Sequence, residues 1–222
     1  MEIKVKGVSK AFGVSVILDG VSFSLEEGQK VGLVGYNSTG KSTFLKIIAG
    51  LLDQDSGTVT IRKGAVLSYL PQDTSIVSTE TVRDYLRRIS RIADLERQIG
   101  PSSEALEEYE RRNGYAFDHK TNAVLTGLGL NPDLSARKIS SLSSGQRSKI
   151  FLAGVLLSDA DVFLLDEPTN NLDLPTLIWL EDFLLNTKSS CIIVSHDRSF
   201  LDHVTNRVVE IDWKTHKLIA TR

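Results

Sequence analysis

The chain opens as short apolar stretches punctuated by turns. Ile3 and Val5, then Val21, Phe23 and Leu25, alternate with polar neighbours, and residues 31–34 form an apolar run bounded by Gly-containing turns. Such alternation and such short bounded runs predict strands. Residues 43–49 take helical spacing before Gly50. Residues 58–62 and 66–70 return to strand character, and Pro71 stops the second of them. The pattern then changes. Val82, Tyr85, Leu86, Ile89, Ile92, Leu95 and Ile99 recur at helical spacing, which predicts one helix over 81–99 with a single core-facing stripe. Gly100, Pro101 and Ser102 break it; a Glu-rich helix is expected to about Arg112 and another over 122–128, ahead of Gly129. Strands resume at 162–165 and 191–194, with helices before and between them, and 207–211 starts a last extended stretch. This order predicts an α/β fold in one domain, residues 1–222, whose core (1–72 and 141–222) is interrupted by a helical insert, 73–140.

Composition narrows the picture. A chain of 222 residues, 41% apolar, accommodates one well-packed domain with a smaller subdomain. No apolar stretch approaches a membrane span, and Met1-Glu2-Ile3-Lys4 lacks the apolar core of a secretory signal, so a soluble, cytoplasmic protein without membrane insertion is expected. Cys191, the single cysteine, lies in an apolar run and reads as a buried, inert thiol. A net charge of −2 gives no global attraction for nucleic acid, so any such contact would be a local patch.

Chemistry concentrates in three places. Gly35-Tyr36-Asn37-Ser38-Thr39-Gly40-Lys41-Ser42-Thr43 is a complete G-x-x-x-x-G-K-S loop between an expected strand and an expected helix. That context directs backbone N–H groups and a helix's positive end at one point, where polyphosphate can sit. Lys41 supplies a charge for the β- and γ-phosphates, and Ser42 a hydroxyl for Mg²⁺. Asp166 and Glu167 end an apolar strand, where an open parallel sheet places ligand-facing groups. Asp166 suits contact with Mg²⁺, and Glu167 suits polarising a water; an ordinary Asp-Glu turn is the alternative. Finally, Ser143, Ser144, Gly145 and Gln146 open a helical pattern, either as a second anion site or as a plain N-cap.

Phosphate loop, Leu-Ser-x-Gly-Gln and Leu-Leu-Asp-Glu-Pro, in this order and spacing, resemble the ATP-binding cassette (ABC) family over essentially the whole chain. The resemblance implies a P-loop NTPase core of ABC type with an antiparallel β subdomain and a helical insert subdomain, ATP and Mg²⁺ as ligands, and ATPase activity. It implies further that Gln72, in Tyr-Leu-Pro-Gln, touches Mg²⁺ and the attacking water, that His196 contacts the γ-phosphate, and that Phe12 stacks on adenine. By themselves a lone Phe reads as core and a lone His as structural. In the family the Ser143–Gln146 loop binds the nucleotide of a facing cassette, so two head-to-tail cassettes bury two ATP molecules. The partner is then a second cassette, on the same full-length chain or as a homodimer.

Residues 166–173 and 195–202, with Tyr109-Glu110 and Gly114-Tyr115, look like the first cassette of the ABC-F branch. That branch carries two cassettes on one chain, lacks membrane domains and includes ribosome-associated translation and antibiotic-protection proteins. The resemblance thus implies half of a longer protein, with the ribosome and its RNA as partner. Two other readings stay open: the motor subunit of an ABC membrane transporter, and a nucleotide-gated module with negligible turnover. The last is prompted by departures from the family pattern. Ser38 and Thr39 replace the commoner Gly and Ala, Ser144 replaces a glycine, and Asn171 stands where ABC-F proteins usually have His. A serine at 38 or 144 carries about 1 kcal/mol of strain if that position needs a positive φ. Arg83, Arg87 and Arg91 form a helical stripe that reads either as a solvated face or as an RNA-phosphate contact.

Overall fold

Two β-sheets account for the strand-rich beginning and end of the chain in the computed structural model, which describes residues 1–73, 78–90, 92–99, 103–111 and 114–220. In chain order the elements are β1 (Ile3–Phe12), β2 (Ser15–Leu25), β3 (Lys30–Val34), α1 (Lys41–Ile48), β4 (Ser56–Ile61), β5 (Leu67–Leu70), α2 (Val82–Ile89), α3 (Ile92–Gln98), α4 (Ser103–Arg111) and α5 (Phe117–Gly127). They continue with α6 (Ser144–Leu156), β6 (Val162–Asp166), α7 (Leu174–Asn186), β7 (Ser190–Val194), α8 (Arg198–Val204), β8 (Arg207–Ile211) and β9 (Leu218–Ala220). Three short 3-10 turns lie between α4 and α6.

The alternation near the N-terminus produces a three-stranded antiparallel sheet, β2-β1-β4. Its register sets Ile3 opposite both Leu25 and Ile61, and Val5 opposite both Phe23 and Val59, so one face is apolar where the pairing is regular. The second sheet runs β5-β6-β7-β3-β8-β9, parallel except for β9. Its central strands β6 and β7 are buried along their whole length, which is why they read as continuous apolar runs. Helix α1 buries Phe44, Leu45, Ile47 and Ile48 in a core shared with Leu18, Phe23, Val31, Leu33, Leu164 and Val194, with Phe44 meeting Phe23 edge to face at 5.8 Å. Register also aligns the carboxyl ends: Leu70 pairs with Leu165, Asp166 with Val194, and Leu33 with Val194. The chain segments following β3, β5, β6 and β7 therefore leave the sheet along one edge, where an open α/β sheet binds its ligands.

The chain separates into two compact units, residues 1–72, 160–170 and 183–222 in one and 73–159 and 171–182 in the other. Residues 141–159, expected with the core, lie in the second unit, because α6 packs on α2: Phe151 meets Tyr85 edge to face at 5.2 Å, and Tyr85 lies against Gly154. The single helix expected over 81–99 is two helices, α2 and α3. Its apolar spacing carries on unbroken across the junction, whereas Ser90 terminates α2 and donates its hydroxyl to the Arg87 carbonyl. Strands β1 and β2 outrun the predicted segments, since residues 6–12 and 15–20 mix exposed and buried side chains without regular alternation. The expected break at 100–102, and Arg112, lie outside the described residues.

Candidate functional site

Two glycines shape the loop between β3 and α1. Gly35 has φ +149 and Gly40 φ +97; a Cβ on Gly40 would stand 2.6 Å from Ile17 Cγ2, and one on Gly35 2.9 Å from the Ile211 carbonyl. Neither position accepts a side chain without rearrangement. Gly40 caps α1 with no side-chain acceptor and α1 has no acidic residue in its first turn, so the N–H groups there lack an intrahelical partner. Lys41, which starts the helix, donates to the carbonyls of Gly35 and Tyr36, both at 2.8 Å. Ser38 adopts φ +64, so the strain foreseen for a serine there is present, at about 1 kcal/mol.

A cleft of about 580 Å³ lies over this loop. It gathers Asn37, Ser38, Gly40, Lys41, Ser42, Thr43, Gln72, Asp166, Glu167 and His196. Gly35, Tyr36 and Thr39 belong to the loop but do not line the cleft; Tyr36 turns outward against Trp213, and buried Thr39 bonds the Tyr36 carbonyl. Phe12 ends β1 and is 52% exposed, neither core nor part of the cleft wall. Ile17 and Val194 complete the lining and were not anticipated. Ile17 falls in the unpredicted half of β2, whereas Val194 ends the apolar run of β7 and pairs with Asp166.

The carboxylates are the unusual feature. Asp166 is buried, and neither of its oxygens has a hydrogen-bond partner of good geometry, although the Ser42 and Tyr69 hydroxyls stand near enough to favour its charged form. Burial raises its pKa above the ordinary carboxylate value, with Ser42, Lys46, Lys41 and Tyr69 pulling it partly back. Glu167 is also buried, in a left-handed backbone conformation with φ +56 that is costly for a side-chain-bearing residue. Its N–H donates to Val194 O at 2.9 Å. One of its oxygens accepts the His196 N–H at 3.3 Å, and the other lies 3.3 Å from His196 Nε2. Burial raises the Glu167 pKa as well, against the opposing pull of His196. The Lys41 ammonium is shifted the other way, its pKa lowered by burial despite Glu167 and Asp166. Two orphaned buried acceptors beside a serine hydroxyl and a glutamine are a donor set that suits a divalent cation shared with phosphate oxygens.

Ser143, Ser144, Gly145 and Gln146 belong to the other unit and form the start of α6. The Ser143 hydroxyl accepts the Gln146 N–H at 3.2 Å and the Gln146 side chain accepts the Ser143 N–H at 3.1 Å, a capping box. Ser144 is helical, so no left-handed strain arises there. Asn171 does take φ +63, a conformation that Asn tolerates better than most residues. The arginine stripe is not a free basic row: Arg87 pairs with Glu96 and with Asp118, and Arg91 lies outside the described residues. Cys191 is buried, its pKa pushed up to about 12, as befits an inert thiol. No helix among the described residues is long and apolar enough to cross a membrane.

Similarity to known proteins agrees with this geometry. The ABC transporter family model matches residues 18–170. The chain is 35% identical to the tylosin resistance ATP-binding protein TlrC of Streptomyces fradiae, over 95% of this chain and 42% of the relative. It is 38% identical to the ATP-binding protein Uup of Haemophilus influenzae, over 91% and 33%, and 33% identical to ABC transporter F family member 5 of Arabidopsis thaliana, over 95% and 34%. It thus spans about a third to two fifths of the length of these relatives. A solved ATP-binding subunit of an ABC transporter shares the fold with a TM-score of 0.79 at 22% identity, covering 100% of this chain and 90% of that one. The α/β core with its antiparallel sheet and helical unit is that of an ABC cassette, and the chain belongs to the ATP-binding cassette family, as an ABC-F-like member.

Proposed function

We propose that the cleft binds Mg-ATP and that the chain hydrolyses it once a second cassette supplies the opposing Ser-Ser-Gly-Gln motif. The observation that carries this reading is Asp166, a buried carboxylate with both oxygens unpartnered at the rim of a glycine-shaped phosphate loop. Leaving such a group unsatisfied is costly, and a ligand that satisfies it is the economical explanation. The N–H groups at the start of α1, with Lys41, hold the phosphates, and Ser42, Asp166 and Gln72 hold the metal. When bound, Mg²⁺ offsets charge on the phosphate oxygens. Glu167 takes a proton from water as its oxygen attacks the γ-phosphorus and the bond to the β-phosphate oxygen breaks, releasing ADP and phosphate; its raised pKa suits that role. His196, which stands 3.3 Å from Glu167, contacts the γ-phosphate in this reading. Phe12 offers an exposed ring for adenine.

Ser143, Ser144, Gly145 and Gln146 act on the nucleotide of the facing cassette, on the same full-length chain or in a homodimer. The short span relative to the curated relatives supports a longer protein with two cassettes, acting in the cytoplasm on the ribosome, in translation or antibiotic protection. No observation favours the transporter-motor reading over this one.

Titration of this chain with Mg-ATP tests the proposal. Saturable binding is expected, weakened about 10- to 100-fold in Lys41→Ala by loss of a charge-assisted contact worth about 1.5–3 kcal/mol. Absent binding in the wild type, or identical curves for both, overturns it.

A further inference from the structure

Lys149 lies one turn beyond Gln146 on α6, with a side chain that is only 14% exposed. Its ammonium stands 3.3 Å from Asp173 Oδ1 and 3.3 Å from Thr176 Oγ1. Thr176, itself buried, donates its hydroxyl to the same Asp173 oxygen. The Asp173 carbonyl accepts the Leu177 N–H at 2.9 Å, so Asp173 also caps α7. Gly129, just past α5 with φ +68, leaves room for this junction; a Cβ there would come within 3.2 Å of Thr176 Oγ1 and 3.4 Å of Lys149 Nζ. Helices α6 and α7 and the turn after α5 thus meet at one ammonium group.

Stability is a poor account of this arrangement. Ordering a lysine costs side-chain entropy, and a pair whose carboxylate is 64% exposed returns little. What the cluster does supply is position. Asp173 closes the segment that leaves Glu167, in which Glu167 and Asn171 are both left-handed. Lys149 belongs to the helix that Ser143 caps. We infer that Lys149 is a positioning residue, which holds residues 171–173 to the helix carrying Ser143 and Gln146, so that these two parts of one unit keep one geometry through turnover. This rests on the ATPase reading above. A displacement of about 1 Å at a reacting geometry can cost up to about 100-fold in rate, so loss of the clamp acts on turnover rather than on nucleotide affinity.

The test uses the full-length protein with Lys149→Met, Lys149→Arg, Asp173→Asn and the Met/Asn double variant, measuring Mg-ATP affinity and phosphate release. Asp173→Asn changes an exposed side chain and serves should Lys149→Met fold poorly. Expected are a drop of about tenfold in kcat for Met and for Asn with affinity within about twofold, recovery by Arg, and a double variant no slower than either single one. Unchanged kcat in both single variants, an Arg variant as slow as Met, or fully additive losses would overturn the clamp. Wild type that binds no Mg-ATP overturns the ATPase reading and this inference together; active wild type beside an unaltered Lys149→Met overturns this one alone.

Discussion

Two helices in this chain begin at turns suited to anions, and they differ in what surrounds those turns. Helix α1 starts at Gly40 with no side-chain cap, next to an ammonium and two buried carboxylates, of which Glu167 is held by His196 while Asp166 makes no well-formed hydrogen bond. Helix α6 starts at Ser143 with its own capping box closed and no charged side chain in its first turn but Arg147, which donates to the Leu142 carbonyl. The first end is therefore incomplete without a ligand, whereas the second is complete alone and has only remaining backbone groups to offer. A helix start that satisfies itself can serve another molecule's nucleotide without depending on it.

The largest test of that contrast is chemical. In the full-length protein Glu167→Gln should keep Mg-ATP binding and lower phosphate release by about 100-fold or more, since the amide cannot take the proton. Turnover near wild type would remove Glu167 from the grip, and wild type without measurable turnover would favour a nucleotide-gated module.

A smaller effect should appear in stability. Asp166→Asn is expected to stabilise the nucleotide-free chain by about 1–2 kcal/mol, because it removes a buried unpartnered charge, and to raise the thermal midpoint by about 2–6 °C. A carboxyl whose folded pKa is raised contributes stability fully below its unfolded pKa, and that contribution is lost as pH rises through the folded value. The gap between variant and wild type should therefore close in acid and open with rising pH. Saturating Mg-ATP should reverse the ranking; an Asn variant less stable at every pH would mean Asp166 is already satisfied.

The smallest effect belongs to the other helix. Ser143→Ala breaks the capping box and should cost about 1 kcal/mol in urea unfolding. Mg-ATP binding by this single chain should not change if, as proposed, the serine serves the facing site. A parallel loss of affinity would erase the difference between the two helix starts.

Much of the cleft was legible because its residues sit in contiguous motifs. Loop, strand and helix occur in one continuous stretch around Lys41, and β6 announces Asp166 by ending an apolar run. Ile17 was not legible, because β2 lacks regular alternation where it passes the loop and its approach to Gly40 is a contact across the fold. The junction of α2 and α3 was hidden for a related reason, since helical spacing persists through a break made by one serine. Nothing local in the sequence marks Lys149, because its partners Asp173 and Thr176 lie 24 and 27 residues away.

Sequence alone determined the chemistry at hand: which loop makes a phosphate turn, which strands are buried, and which residues can accept, donate or carry charge. These are local properties of side chains and backbone preference. Tertiary structure decided that Asp166 is buried without a well-formed hydrogen bond, that Glu167 turns left-handed toward His196, and that Lys149 joins α6 to the start of α7. Each is a relation between residues distant in the chain, set by sheet register and helix packing, and no local pattern encodes it.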